Sequence, residues 1–288
     1  MDLLHTILLA IVEGLTEFLP ISSTAHMKIV DFLGNAQEDS FRNMFEVVIQ
    51  LAAILAIVVL YWKKFFNFKN IHFYLMLLVA IIPALVFGAL LKKHIDAALD
   101  NMWIISSVMI LGGIVLVFID KLFTKNPIEN DDQISYGKAF KIGCFQVLSI
   151  LFPGLSRSAA TIIGGLTQKL SRKEAAEFSF FLAVPTMIAA SAKSFYDACK
   201  DNFISVHHIV DENAKISLSD TFSSDNLNVF FAGNNGLYLA VGCVVSFIVA
   251  MIAVKFFIDF LNKYGFKYFG IYRIIVGCVI LFLLIKGK

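Results

Sequence analysis

Charge is what this chain has least of. Only 16% of its 288 residues are Asp, Glu, Lys or Arg, while 58% are hydrophobic and the mean hydropathy is +0.78. A soluble domain of this length has no use for so much apolar surface. Arginine is scarcest, with four copies (Arg42, Arg157, Arg172, Arg273) against twenty lysines. The four cysteines (Cys144, Cys199, Cys243, Cys278) show no C-x-x-C spacing, and three of them lie in apolar segments, where cysteine acts as a small hydrophobe. That pattern argues against a disulfide framework and against a thiolate zinc site. A net charge of +2 leaves no footprint for nucleic acid.

What the chain does have is long uncharged runs, and runs of about 18 or more such residues read as transmembrane helices. Six are expected: Met44 to Trp62, Phe73 to Leu91, Trp103 to Ile119, Phe178 to Ala192, Leu237 to Val254 and Tyr268 to Ile285. The fourth is short and carries Pro185. Two further stretches, about Leu3 to Leu33 and Ala139 to Leu170, are broken in the middle by Pro20 and Pro153 and by polar groups. Backbone broken at membrane depth is tolerated only where protein or a watery cavity satisfies it, so both are read as re-entrant helix pairs. The expected fold is therefore an all-α polytopic membrane protein, a single integral domain over 1–288. It has six spans and two re-entrant pairs arranged as inverted repeats, with halves at about 1–125 and 137–288. A polar loop at about 196–235 is read as a small lid or as disordered. The N-terminal stretch lacks basic residues before its apolar run and contains Glu13 and Glu17, which argues against a cleaved signal.

If both pairs return to the side they left, Lys63, Lys64, Lys69, Lys121, Lys138, Arg172 and Lys263 share one side, which becomes the cytoplasmic one. Lys92, Lys93, Lys286 and Lys288 count against that orientation.

The two broken stretches resemble each other. Overlaid at Pro20 and Pro153, Glu13 falls on Gln146, Ser23 on Ser156 and Thr24 on Arg157. Glu13 and Glu17 are four apart and share a helix face. Each costs roughly 2.5–3.5 kcal/mol or more near a bilayer centre. Either one is protonated or a divalent cation, Mg²⁺ or Ca²⁺, lies between them; if both lay at the interface they would simply be solvated. Ser22 is suited to cap a helix running from Ser23 toward Leu33, whose free amides make an anion site. Ser23 and His26, three apart, are able to face one cavity as nucleophile and base, or as phosphate ligand and proton donor. Ser156-Arg157-Ser158 is the strongest signal, because a guanidinium among apolar residues offers phosphate a bidentate fork. Glu46 and Gln50 share a face that would lie behind the carboxylates, and Glu177 is a weaker counterpart from the other half. Together these groups make a receptor for a diphosphate, and the membrane setting suggests a lipid tail on it.

The segments Glu13-x-x-x-Glu17-Phe-Leu-Pro-x-Ser22-Ser23-Thr24-x-His26 and Pro153-Gly-x-Ser156-Arg157-Ser158-x-x-Thr161 resemble the two signatures of the bacterial undecaprenyl-diphosphatase (bacitracin-resistance protein) family. Phe45 to Gln50, Ile142 to Gln146, Glu177 to Phe180 and Ile271 to Arg273 also resemble it, so the similarity runs along nearly the whole chain. The resemblance implies a metal-dependent hydrolase of the bacterial plasma membrane. It would remove the terminal phosphate of the lipid-carrier diphosphate at an extracytoplasmic site, recycling the carrier for cell-wall synthesis. Glu13 and Glu17 would hold the metal, Ser23 would be the candidate nucleophile, and His26 its acid–base partner or a phosphate contact. Arg157 would clamp the diphosphate with Ser156 and Ser158, with Ser22 and Thr24 nearby. Ala25 and Ala159 replace glycines usual in the family, which is tolerable if both are helical. Expected partners are a polyprenyl diphosphate and the bilayer, with a homodimer left open. A lipid-phosphate flippase or transporter remains the alternative reading. The more common membrane lipid phosphatases are set aside, since only Ser156-Arg157 of their motifs survives here.

Overall fold

The computed structural model describes residues 2–34, 40–91, 101–122, 127–128, 134–207 and 216–286. Among the described residues the chain is helical, and the lone β contact is an isolated bridge between Ile128 and Leu170. The first half holds α1 (Leu3–Thr16), α2 (Ser23–Gly34), α3 (Ser40–Leu60), the short α4 (Trp62–Phe65), α5 (Ile71–Leu90) and α6 (Met102–Leu122). The second holds α7 (Tyr136–Leu151), α8 (Arg157–Thr167), α9 (Arg172–Val206), the short α10 (Leu218–Thr221) and α11 (Ser224–Phe230), then α12 (Asn235–Tyr264) and α13 (Lys267–Ile285).

Six of these helices are long and apolar enough to cross a membrane: α3, α5, α6, α9, α12 and α13. They coincide with the six expected runs, and the fourth is the instructive exception. Expected to be short, α9 instead runs for 35 residues straight through Pro185. Proline is tolerated in such helices; one residue on, the Thr186 hydroxyl donates back to Leu182 O (2.8 Å).

That continuation changes the reading of 196–235 where it is described: residues 196–206 belong to α9, and α10 and α11 fold back upon it, while 208–215 lie outside the described residues. Asn226 holds this cap together, its amide donating to Cys199 O (2.9 Å) and Thr221 O (2.7 Å). Phe230 packs on Phe41 of α3 with ring centroids 5.7 Å apart. The cap is ordered because buried aromatics and a satisfied amide outweigh its polar composition. Of the remaining connectors, Lys92, Lys93, Lys288 and most of 126–136 lie outside the described residues.

The helices pack in reciprocal pairs. α5 lies on α7 and α1 on α12, while α6 pairs with α13 and α3 with α9. Small residues allow the close crossings. A Cβ on Gly113 would sit 2.7 Å from Gly270 O, and one on Gly270 2.6 Å from Gly113 O, so the α6 and α13 backbones touch. At one end, Asp120 accepts from Arg172 Nε (2.6 Å) and from the Phe266 amide (2.8 Å), joining α6, α9 and the α12–α13 turn. There too Tyr61 donates to Glu177 (3.2 Å). The lysine-bearing turns thus gather at this end, and the α10–α11 cap at the other.

Candidate active site

Between the ends lie the two interrupted pairs, α1–α2 and α7–α8. α1 stops at Thr16, and a turn carrying Pro20 leads to Ser22, which has φ +74°. α7 stops at Leu151, and Pro153-Gly154 lead to Ser156, with φ +75°. Positive φ is costly for a residue with a Cβ, and strain of that kind concentrates at functional sites. Each serine caps the helix it precedes: Ser22 Oγ accepts from the Ala25 amide and Ser156 Oγ from the Ala159 amide, both at 3.3 Å. Ala25 and Ala159 lie in the first turns of α2 and α8, and neither is among the positive-φ residues. By backbone and capping the equivalent residues are Ser22 and Ser156. The overlay of Ser23 on Ser156 and Thr24 on Arg157 is therefore corrected by one residue: Ser23 matches Arg157, and Thr24 matches Ser158. Gly154 is the reason, since it adds a residue at φ +91° where a Cβ would lie 2.6 Å from Ile105 O.

At these breaks, groups distant in sequence meet. Glu17 is the pivot. Its Oε1 accepts from Arg157 Nη2 at 2.8 Å, and its Oε2 accepts from Ser23 Oγ at 2.5 Å. The pair spans 140 residues of sequence and both side chains are largely buried, 7% and 13% exposed. Arg157 Nη1 donates to Ser179 O on α9 (3.2 Å), while its Nε is buried with no partner among the described residues. Thr161 braces this contact, its hydroxyl 2.6 Å from Ser179 Oγ and donating to Arg157 O at 2.9 Å. Ser158 Oγ donates to Leu19 O across the halves (2.9 Å) and lies 2.9 Å from Ser156 Oγ.

Glu13 is fully buried, and neither of its oxygens has a hydrogen-bond partner among the described residues. Its charged neighbours are Glu17, Glu46 and Arg157. A buried acceptor pair left open beside two other carboxylates is a large electrostatic cost unless a proton or cation joins it.

The remaining candidates divide. Thr24 is half-buried in the first turn of α2. His26 is not bonded to Ser23: its Nδ1 lies 2.7 Å from Ser22 O and its Nε2 2.8 Å from Tyr272 Oη, and the two rings stack at 5.6 Å. Because a carbonyl only accepts, Nδ1 carries the proton, and in the neutral ring Nε2 accepts from Tyr272. The Ser23 proton is directed at Glu17 instead. Glu46 is held by Arg42 (3.4 Å), which also pairs with Asp31, so it joins a second ionic cluster at α1–α3 that borders Glu13. Gln50 is half-buried one turn further along α3. Glu177, two residues before Ser179 on α9, is bonded to Tyr61 and lies 3.8 Å from Lys173 Nζ, with no bond to Glu17 or Arg157 among the described residues.

Sequence reasoning missed Arg273 as part of this region. Its side chain is fully buried and donates to five backbone carbonyls: Pro20 (3.1 Å), Gly154 (2.8 Å), Leu155 (2.7 Å), Met109 (3.3 Å) and Val108 (3.5 Å). The signal was available, because Arg273 lies between Ile271-Tyr272 and Ile274-Ile275, as deep in apolar sequence as Arg157. Ser179 and Tyr272 were also missed as site residues, although both lie in the segments Glu177 to Phe180 and Ile271 to Arg273 that resemble the family.

Fold and site together define a multi-pass membrane protein with an ionic pocket assembled at two interrupted helix pairs. The comparisons with known proteins agree with that class. Residues 6–279 match the family described as bacitracin resistance protein BacA. The chain is 47% identical over 282 residues to the undecaprenyl-diphosphatase of Flavobacterium psychrophilum, covering 98% of this chain and 95% of that protein. It is 43% identical over 303 residues to the protein of the same name in Porphyromonas gingivalis, covering 100% and 98%. With the undecaprenyl-diphosphatase of Campylobacter jejuni it shares 39% over 290 residues, covering 100% and 96%. The chain belongs to the bacitracin resistance protein BacA family.

Proposed function

We propose that this protein is an undecaprenyl-diphosphatase, cleaving the terminal phosphate from the lipid-carrier diphosphate and so conferring bacitracin resistance. The observation that carries this reading is Glu17 held between Ser23 Oγ and Arg157 Nη2. A hydroxyl already donating to a carboxylate is poised to lose its proton as it attacks phosphorus, and Glu17, not His26, is the group placed to receive it. Whether Ser23 Oγ or a water in its place attacks, the bond formed is oxygen to the terminal phosphorus. The bond broken is the phosphoanhydride, and the lipid monophosphate departs with the electron pair; on the Ser23 route a water then breaks the serine–phosphate bond, restoring the hydroxyl and releasing inorganic phosphate. Arg157 contributes the open Nε–H and its forked Nη groups to the phosphate oxygens, where charge grows in the transition state.

A divalent cation fits this site. The open oxygens of Glu13, next to Glu17, supply hard donors. No group of three or more His, Cys, Asp and Glu able to hold a metal occurs among the described residues. Two carboxylates plus substrate phosphates and water are the ligand set that Mg²⁺ commonly takes. When bound there, the ion would withdraw charge from the phosphate oxygens.

Several observations support the finer architecture. The reciprocal packing of α1 on α12 and α5 on α7, with matched breaks at Ser22 and Ser156, supports inverted repeats built on re-entrant pairs. Lysines gathered with Arg172 at one end support a cytoplasmic placement of that end in a bacterial plasma membrane, with the α10–α11 cap outside.

The test is phosphate release from an undecaprenyl diphosphate by purified protein in detergent, where there are no two sides to transport between. Release that needs Mg²⁺ or Ca²⁺ and disappears in Arg157→Ala is expected. Tight binding of the diphosphate without release would favour the flippase reading instead.

A further inference from the structure

We infer that Arg273 is a positioning residue for the reaction, holding the two halves of the pocket in register through the backbone of both breaks. The inference rests on the reading of the pocket as a diphosphatase site. Ser23 and Glu17 flank the first break, and Arg157 follows the second. The direct ties between the breaks are few: the Glu17–Arg157 pair, and Ser158 Oγ on Leu19 O. Both involve side chains of the pocket itself, so substrate arrival is bound to disturb them. Arg273 supplies a fully buried tie made to main chain alone. One nitrogen, Nη1, donates at once to Pro20 O in the first break and to Leu155 O in the second, at 3.1 and 2.7 Å. Nη2 adds Gly154 O at 2.8 Å, and Nε anchors the fork to Met109 O on α6.

The chemistry requires a guanidinium. The five carbonyls approach from three separate segments, and only a planar fork with five N–H donors serves them all; an ammonium has three. The site is also shaped for it. Gly112 leaves the room, since a Cβ there would lie 2.6 Å from Arg273 Nη2. All the carbonyls belong to breaks or helix backbone, so the contacts fix main-chain position and not a side-chain rotamer. Misplacing reacting groups by about 1 Å costs on the order of 10²-fold in rate.

The experiment compares wild type, Arg273→Lys and Gly112→Ala by phosphate release in detergent, with kcat and KM separated and folding followed by melting temperature. Loss of register acts on the transition state, which needs Glu17 and Arg157 together, more than on capture of the lipid. The expected result is a kcat about 100-fold lower in Arg273→Lys with KM changed less than about threefold. Gly112→Ala keeps the guanidinium but pushes it off its carbonyls, and kcat of the folded protein is expected to fall about tenfold, with a melting temperature lowered but still above the assay temperature. A residue that only stabilised the fold would lower yield and melting temperature and leave kcat of the folded fraction at the wild-type value. That outcome in either folded variant overturns the inference. If Arg273→Lys does not fold, Gly112→Ala decides alone. Failure of the wild-type protein to release phosphate would instead count against the proposed function.

Discussion

Replacing Glu17 with glutamine isolates what the carboxylate contributes, because shape and most hydrogen bonding survive. Glu17 now accepts two bonds, from Arg157 Nη2 at 2.8 Å and Ser23 Oγ at 2.5 Å. A glutamine has one acceptor oxygen and one donor amide. Turned with its oxygen to Arg157, it presents N–H to Ser23, and the hydroxyl rotates from donor to acceptor. The pocket stays bonded, but Arg157 loses its counter-charge and Ser23 loses the group to which its proton was directed. Leaving one member of a buried pair uncompensated costs about 3–5 kcal/mol when nothing replaces the partner. Because the amide oxygen still accepts from Arg157, the loss here is set at about 2–3 kcal/mol, as for a hydrogen bond to a charged group. At roughly 2–4 °C per kcal/mol for a chain near this size, the melting temperature falls by about 4–12 °C. The catalytic effect is larger: removing a positioned proton acceptor costs about 10²–10⁴-fold in kcat. Both are read on one detergent preparation, by phosphate release and by thermal unfolding. Glu17→Gln protein retaining more than about a tenth of wild-type kcat would refute the assignment of Glu17 as proton acceptor.

Glu13→Gln removes the buried carboxylate beside Glu17; wild type is expected to gain melting temperature with added Mg²⁺ or Ca²⁺ and the variant to show a flat response. Ser23→Ala should keep the Glu17–Arg157 pair and the fold, yet lose at least about 100-fold in kcat; mass analysis of acid-quenched wild-type protein for a phosphate on Ser23 distinguishes a covalent intermediate from direct water attack. Gly270→Val should disrupt the backbone contact between α6 and α13 and lower thermal stability by about 1–3 kcal/mol, measured by unfolding in detergent. Tyr272→Phe removes one hydrogen bond to His26 and should lower kcat less than about tenfold, since His26 does not touch Ser23; a loss as deep as that of Glu17→Gln would restore His26 to the proton-accepting role.

The spans were readable because a bilayer leaves few options: an apolar run of sufficient length must become a helix, whatever its neighbours. The α9 reading shows the limit: the expected span already ran through Pro185, and what it missed was the extension to Arg172 and Val206, where charged and polar residues end the apolar run but not the helix. That the two proline-broken stretches would meet was readable from Arg157 and Glu17, each too expensive to stand alone in apolar surroundings. The register past the breaks was not, because it depends on Gly154 adding one residue to a turn, which no pairing of prolines reveals. The partner of His26 was hidden for another reason. Spacing puts Ser23 and His26 near one another on α2, but Tyr272 arrives from 246 residues away and takes the imidazole. Arg273 was visible as an isolated arginine, yet what it binds is main chain, and carbonyls leave no mark in a sequence.

The 140 residues between Glu17 and Arg157 also impose an order on biogenesis. A chain leaves the ribosome at about 5–20 residues per second, so the first acidic hairpin waits on the order of 10 s before its guanidinium is even synthesised. Through that interval the newborn N-terminal half must keep Glu13 and Glu17 hydrated, protonated or shielded by the insertion machinery. The last helix to emerge, with Arg273, is then the one that closes the lock.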